Sequence, residues 1–263
     1  MKRFWQSLTV MKKSTLIVLV SVFLMVFDNR AFFSNITDVY PLNLDNIAFL
    51  ASLAVVFGAA LILILSLVCY RYTIKPVLIL ILVLSSFAAY FMDSYNTVID
   101  TDMLRNVAQT NVSEASDLMS IKLALYVIFL GILPSLFVAR VRVTTESFRR
   151  DILSTVKLAS VSLGIGVLLI VIFSNFYASF IREHKILRYY ANPSFYIVST
   201  VKFASSAIES SNLPFRMIAE DAQAAPAEHP RELMIMVVGE TARADRFSLN
   251  GYERDTNPEL AKD

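Results

Sequence analysis

Five long apolar stretches constrain the fold of this chain more than any other feature. They cover residues 14–33, 47–70, 76–92, 123–139 and 158–181. A helix needs about 17 to 25 mostly apolar residues to cross the hydrocarbon of a bilayer. Hydrophobic residues make up 56% of the chain and charged residues only 17%, against roughly 25% charged in soluble domains. The sequence therefore predicts a membrane-embedded, all-α domain of five transmembrane helices over residues 1–181.

The first stretch needs a separate argument because its uncharged core ends at Phe27, before Asp28 and Arg30. A core of that length is also typical of a signal peptide. No pair of small residues suited to cleavage follows Phe27, and apolar residues resume at Ala31. We therefore predict that this stretch is the first transmembrane span.

The basic residues predict the orientation of the spans. Three of them fall at the predicted outer ends and loops, namely Arg30, Arg105 and Lys122. Ten fall on the side of the amino terminus: Lys2, Arg3, Lys12, Lys13, Arg71, Lys75, Arg140, Arg142, Arg149 and Arg150. Since basic residues are retained in the cytoplasm, we predict a cytoplasmic amino terminus and an exported segment after residue 181. The net charge of +2 is thus interpreted as a signal of topology, and no nucleic-acid partner is expected.

The residues after the fifth span divide into a connector and the start of a further domain. In the connector, residues 182–230, Asn192 followed by Pro193 predicts the start of a helix, with Asn as its N-cap. Nearby aromatic residues suit a helix at the membrane surface, and residues 222–230 are typical of a linker. Residues 231–263 begin with an apolar run, Leu233 to Val238, which predicts a strand.

Glu240 follows directly after this predicted strand and Gly239. Because α/β sheets bind ligands beyond the carboxyl ends of their strands, Glu240 is a candidate metal ligand there. The alternative is that Thr241 caps a helix running through Arg246 and that Glu240 accepts hydrogen bonds from its amides. Local spacing alone leaves both interpretations open.

The same segment carries a family resemblance. The run from Val237 to Asp245, followed by Asn250-Gly251-Tyr252 and Thr256-Asn257-Pro258, resembles the first catalytic motif of the bacterial phosphoethanolamine transferases that modify lipid A, including those conferring colistin resistance. The resemblance implies five inner-membrane spans followed by a periplasmic α/β domain of alkaline-phosphatase/sulfatase type. It also implies that Glu240 ligates zinc, and it places the nucleophilic threonine beyond residue 263.

The long loop at residues 93–122 is a second candidate site. Its five acidic and two basic residues give it a formal charge of −3, which would attract an ammonium group. Asn106, Thr110 and Glu114 recur every four residues and would share one face of a helix. An alternative is that Asn111 and Glu114 form a capping box. The family resemblance implies that Asn106, Thr110 and Glu114 contribute to a phosphoethanolamine-binding pocket.

The resemblance implies transfer of phosphoethanolamine from phosphatidylethanolamine to a lipid A phosphate, with polymyxin resistance as the consequence. We expect the 263-residue chain alone to be inactive, because one carboxylate cannot complete a zinc site. Two alternatives remain at this stage. One is a membrane-anchored phosphotransferase of the same superfamily with another acceptor, and the other is a non-catalytic membrane anchor.

Overall fold

The computed structural model describes residues 10–111, 113, 116, 118–144, 147–211, 221, 235–236 and 243–260. The chain separates into two compact units, Met1–Leu213 and Pro214–Asp263. The first unit contains all of the apolar helices together with the helix predicted after Asn192 and Pro193. The predicted strand at residues 233–238 lies mostly outside the described residues, which include only Ile235 and Met236 of it.

Long apolar helices dominate the first unit. In chain order, its helices up to the last apolar one are α1 (Lys13–Phe27), α2 (Arg30–Val39), α3 (Ile47–Val68), α4 (Ile74–Tyr95), α5 (Thr101–Gln109), α6 (Ile121–Arg140) and α7 (Phe148–Ile172). Among the described residues, α3, α4, α6 and α7 are each long and apolar enough to cross a membrane, and α1 with α2 forms a fifth candidate bent by 56°. The prediction of a multi-span helical protein is confirmed.

Two predicted span boundaries were wrong. The first stretch does not continue straight to residue 33, because it bends at Asp28 and Asn29 and continues as α2 to Val39. The fifth begins at Phe148, ten residues before the predicted 158, and ends at Ile172 rather than 181. The charged first turn of α7 is accommodated because the Asp151 carboxylate pairs with the Lys13 ammonium at 3.1 Å.

The core of the first unit lies between α1, α3 and α4. Leu16 and Leu24 of α1, Leu61 of α3, and Leu78 and Leu82 of α4 are fully buried. Helix α3 packs against α1 and α7, while α4 packs mainly against α6. Since lipid tails are as apolar as these side chains, close packing rather than removal from water favours such contacts in a bilayer.

A short parallel β-pair joins α1 to the end of α6. Strand β1 (Val10–Met11) pairs with β2 (Arg142–Val143), with Val10 opposite Arg142 and Met11 opposite Val143. The Thr144 amide adds a further bond to the Met11 carbonyl at 2.9 Å. This pairing holds the ends of two spans together at the side predicted to be cytoplasmic.

After α7 the chain continues as α8 (Ser174–Glu183), a 3₁₀ turn (Leu187–Tyr190) and α9 (Ser194–Ser211). Asn192, predicted to cap α9, is instead fully buried, and its side-chain amide donates to the carbonyls of Asp28 and Ser85 at 3.1 and 2.9 Å. The Asn29 amide donates to the Asn192 carbonyl at 2.7 Å, and the Asn192 N–H donates to Asn29 Oδ1 at 2.9 Å. This Asn29–Asn192 clamp fixes the α1–α2 bend, α4 and the start of α9 to one another.

Candidate functional site

The loop predicted to bind the substrate contains α5 and packs on the connector helix α9. Helix α5 begins where the Asp100 carboxylate accepts a hydrogen bond from the Met103 N–H at 2.8 Å, a standard N-cap contact. Asp102 and Arg105 form an exposed ion pair at 2.8 Å within the helix. The loop is therefore a defined helix held against a second helix, at least as far as Gln109.

Asn106 and Thr110 are brought together, but not as predicted. Helix α5 ends at Gln109, and Thr110 already has extended backbone angles. Both the Thr110 N–H and its hydroxyl donate to the Asn106 carbonyl, at 2.8 and 2.7 Å. The expected helical face therefore stops at Thr110, where the backbone becomes extended. The Asn106 side chain is exposed and Thr110 is half-buried, while Glu114 lies outside the described residues.

The metal-ligand prediction, Glu240, and the neighbouring Thr241 also lie outside the described residues. Among the residues that the structure describes, no group of three or more His, Cys, Asp or Glu side chains could hold a metal ion. The role of Glu240 as a zinc ligand therefore stays a prediction. The alternative of a helix capped by Thr241 and running through Arg246 was wrong, because Arg243 is extended and only Ala244–Arg246 form a 3₁₀ turn.

The motif residues after Glu240 stabilise a compact loop within the second unit. The Asn250 side-chain amide donates to the Ala244 carbonyl at 2.8 Å, and the Thr256 hydroxyl donates to the Arg246 carbonyl at 2.6 Å. Asn257 Oδ1 accepts from the Ser248 N–H at 2.9 Å. Gly251 has a φ of 92°, a conformation that side chains other than glycine rarely adopt. These polar residues therefore have a structural role in shaping the turn that follows Glu240.

A buried polar group sits where α9 meets α4. The Tyr196 hydroxyl lies 3.4 Å from the Ser85 hydroxyl. Burial of the phenol raises the pKa of Tyr196 to about 12, and the nearby Asp28 charge adds to the increase. At the exposed end of α8, hydrogen bonds from Arg182 and Ser179 lower the pKa of the Glu183 carboxyl. The Tyr196 hydroxyl therefore contributes to the packing of α9 and does not belong to a solvent-accessible site.

Sequence reasoning missed a polar cavity of about 390 Å³ at the ends of α2, α4 and α6. Arg30, Asp93, Lys122 and Tyr126 are among the residues that line it. Asp93 Oδ1 accepts from the Ala31 N–H and Asp93 Oδ2 accepts from the Tyr126 hydroxyl, both at 2.9 Å. Arg30 and Lys122 were recognisable as basic residues on the predicted outer side, but nothing local in the sequence places them together.

The bundle of apolar helices and the polar loop packed on α9 define a multi-span membrane protein with a structured extramembrane loop. Residues 57–208 match the family Phosphoethanolamine transferase EptA/EptB. The chain belongs to this family, since the match covers more than half of its length.

Individual relatives agree with this assignment. The chain is 44% identical over 251 residues to the phosphatidylethanolamine transferase Mcr-1 of Escherichia coli, covering 94% of this chain and 46% of that protein. It is 33% identical over 255 residues to the phosphoethanolamine transferase EptA of Escherichia coli, with 94% and 46% covered. The chain spans about half the length of the curated relatives it matches.

A solved structure shows the same fold. The integral membrane protein lipooligosaccharide phosphoethanolamine transferase A (EptA) from Neisseria meningitidis superposes with a TM-score of 0.88 at 30% sequence identity. The match covers 97% of this chain and 47% of that structure. The arrangement of spans and connector described above is therefore shared with a membrane-embedded member of the family.

Proposed function

We propose that this chain is the membrane-embedded part of an enzyme that transfers phosphoethanolamine from phosphatidylethanolamine to a phosphate of lipid A. The observation that carries the proposal is the family match over residues 57–208, which runs from α3 to α9 and includes the loop with α5. Both substrates are lipids, so a catalytic domain seated on a bundle of spans would meet them at the bilayer surface. Polymyxin resistance follows if lipid A phosphates are modified.

The loop at residues 93–122 supplies the proposed donor pocket. Asn106 presents an exposed side-chain amide on α5, and Thr110 lies directly beyond the end of that helix. Glu114 would attract the ammonium group of the donor through its carboxylate. Hydrogen bonds that involve a charged group are about twice as strong as neutral ones. Of the three residues, Glu114 is therefore expected to contribute most to the free energy of donor binding.

Zinc is the proposed cofactor, and Glu240 is its proposed ligand in this chain. The carboxylates of Asp and Glu bind zinc together with His in catalytic sites. A bound zinc ion would stabilise developing negative charge and lower the pKa of an attacking hydroxyl. The loop formed by Asn250, Thr256 and Asn257 supports this role, because its hydrogen bonds fix the chain that follows Glu240.

The proposed location is the bacterial inner membrane, with the amino terminus in the cytoplasm and the second unit in the periplasm. The excess of basic residues at one side of the spans supports this orientation. The β-pair and the Lys13–Asp151 ion pair lie at the same side, together with Arg142 of β2.

The activity is tested in a full-length protein that carries this region, by mass spectrometry of lipid A from cells that express it. Glu114→Ala should lower transfer about ten- to a hundredfold, since a charge-assisted contact is worth roughly 1.5 to 3 kcal/mol. Glu240→Ala should abolish transfer and also lower the zinc content of the purified protein. Asp102→Ala is the matched control, because it removes an acidic residue of the same loop whose carboxylate already pairs with Arg105.

Unchanged transfer by the Glu114→Ala protein at limiting phosphatidylethanolamine would return Glu114 to a helix-capping role. Unmodified lipid A from the parent protein, at normal expression, would contradict the proposed activity as a whole. Retained zinc in the Glu240→Ala protein would contradict the ligand role alone.

Orientation is tested with a reporter enzyme that is active only outside the cytoplasm. A fusion after Asp263 should be active, and a fusion between Thr144 and Phe148, in the connection from β2 to α7, should be inactive. The reverse pattern would overturn the topology and, with it, the periplasmic location of the site.

A further inference from the structure

The polar cavity between α2, α4 and α6 is lined by two cationic side chains. Arg30 lies at the start of α2 and Lys122 in the first turn of α6, and both side chains are exposed. Within the part of the chain that the structure describes, neither Arg30 nor Lys122 forms an ion pair. Their positive charges are thus available to an anionic group that enters the cavity.

The only carboxylate among the residues that line this cavity is already engaged. Asp93 accepts one hydrogen bond from the Ala31 N–H and another from the Tyr126 hydroxyl. The first bond caps the start of α2 and the second orients Tyr126 at the cavity wall. With two cations and one carboxylate, the lining has a formal charge of +1, which favours an anion over a neutral or zwitterionic group.

The cavity continues into an apolar groove along α1 and α6. A neighbouring cavity of about 280 Å³ shares Arg30, Asp93 and Tyr126 with the polar one and is otherwise lined by apolar side chains such as Phe27 and Phe129. A third cavity, of about 350 Å³, shares Phe129 with the second. It extends along the two helices as far as Val138.

The length of this groove matches one hydrocarbon chain. From Tyr126 to Val138, α6 rises about 18 Å at 1.5 Å per residue, which is somewhat more than half of the roughly 30 Å hydrocarbon thickness of a bilayer. Phe27 and Phe129 are more than half exposed, so lipid can enter the groove from the side. A polar cavity with charged side chains, continued by an apolar groove as deep as one leaflet, is complementary to the headgroup and acyl chain of a membrane lipid.

We propose that α1, α2, α4 and α6 form a binding site for one anionic glycerophospholipid. Its phosphate lies between Arg30 and Lys122, and one acyl chain occupies the groove down to Val138. A guanidinium matches two phosphate oxygens at once, and an ammonium adds a point charge. The proposal does not depend on the proposed transferase activity.

A fluorescence experiment on the 263-residue chain tests the site. Trp5 is the sole tryptophan, so Trp5→Phe with Phe129→Trp places one fluorophore where the cavities meet. The chain is reconstituted in vesicles that mix phosphatidylglycerol and phosphatidylcholine, with bromine atoms on the acyl chains of one lipid at a time to quench nearby tryptophan. Phosphatidylglycerol should be preferred at the reporter about tenfold.

Two variants separate a built site from general attraction of anionic lipid to a basic surface. Arg30→Gln with Lys122→Gln should reduce the preference to near onefold. Arg149→Gln with Arg150→Gln removes two exposed charges from the start of α7 and should leave the preference intact. Arg30→Lys with Lys122→Arg should retain it, which excludes loss of folding as the cause.

Three results would overturn the proposal. They are equal quenching by both lipids in the parent, a preference that persists in the Arg30→Gln, Lys122→Gln protein, and displacement of phosphatidylglycerol by an equal amount of phosphatidylethanolamine. The last result would mean that the cavity selects a zwitterionic headgroup instead.

Discussion

Helices α4 and α7 are both apolar enough to span a membrane, yet they occupy different environments. Half of the most apolar 18-residue window of α4 is buried inside the protein, whereas only 6% of the corresponding window of α7 is buried. Helix α4 contacts α1, α2 and α6, while α7 packs mainly along α3. Apolarity therefore determines that a helix enters the bilayer, and does not determine whether it faces protein or lipid.

Small residues of α4 meet a partner helix, whereas Gly164 and Gly166 of α7 do not. On α4, Ser85, Ser86, Ala88 and Ala89 are buried, and a Cβ added at Gly131 of α6 would lie 2.7 Å from Ser86 Oγ. Small residues let membrane helices approach closely. In α7, a Cβ added at Gly164 or Gly166 would meet no atom within 4 Å. Small residues alone are thus insufficient evidence of a helix contact.

The Asn29–Asn192 clamp offers the strongest test of the central position of α4. Asn29→Ala removes the amide that donates to the Asn192 carbonyl and the oxygen that accepts from the Asn192 N–H. Each buried polar group left unsatisfied costs about 1 to 3 kcal/mol, so we expect a loss of about 3 to 4 kcal/mol in unfolding free energy, measured by denaturation in mixed micelles.

Asn46→Ala is the control for this experiment. Asn46 is half-buried, and its amide donates to the Pro41 carbonyl at 3.0 Å in a solvent-exposed hydrogen bond. Surface substitutions usually change stability by less than about 0.5 kcal/mol. If both variants lost the same unfolding free energy, the clamp would contribute no more to stability than an exposed hydrogen bond does.

Gly131→Leu should destabilise the protein by about 2 to 3 kcal/mol. The new side chain would collide with Ser86 and the Val83 backbone, and overpacking of a filled interface costs about 1 to 3 kcal/mol. Thermal melting followed by circular dichroism would measure the loss. Gly166→Leu on α7 is the matched control and should melt no lower than the parent.

The contact of α9 with α4 predicts a loss of stability in alkali. The pKa of Tyr196 is raised from its ordinary 10.0 to about 12 in the folded protein, so the folded state retains the phenolic proton while the unfolded state releases it. The contribution is complete below pH 10 and disappears as pH rises to 12. Two pKa units correspond to about 2 to 3 kcal/mol. Because the phenol is not completely buried, we expect a loss of about 2 kcal/mol in unfolding free energy.

A Tyr196→Phe variant should lack this part of the pH dependence, because no phenol remains to ionise. Comparing its unfolding free energy with that of the parent between pH 9 and 12 isolates the contribution of Tyr196. Identical slopes in the two proteins would contradict burial of the hydroxyl against Ser85.

Gly164→Ala is expected to have the smallest effect, and it should stabilise the protein where Asn29→Ala and Gly131→Leu destabilise it. Because nothing lies within 4 Å of the added Cβ, the substitution only removes the helix-interior cost of glycine, about 1 kcal/mol at most. The expected result is a slight rise in melting temperature. A clear fall would mean that α7 packs closely against a further surface at this position.

The candidate site was only partly predictable from the sequence. Asn106 and Thr110 lie at the carboxyl end of α5, where the four-residue spacing brings the Thr110 N–H to the Asn106 carbonyl, and their role in substrate binding stays a prediction. The end of α5 at Gln109 was not predicted, because a four-residue polar spacing is compatible with a helix but does not show where the helix ends. The predicted roles of Glu114 and Glu240 stay predictions.

The sequence by itself determined that the chain is a multi-span helical membrane protein and indicated its family, since apolar length is a local property and the motif around Asn250 and Asn257 is contiguous. Only the tertiary structure decided the bend at Asp28, the early start of α7 and the burial of Asn192. It also brought Arg30 and Lys122 to one cavity. The physical reason is that these features depend on partners far along the chain, such as the Asn29 and Asn192 amides, which lie 163 positions apart. A one-dimensional pattern of hydropathy and charge contains no information on such pairings.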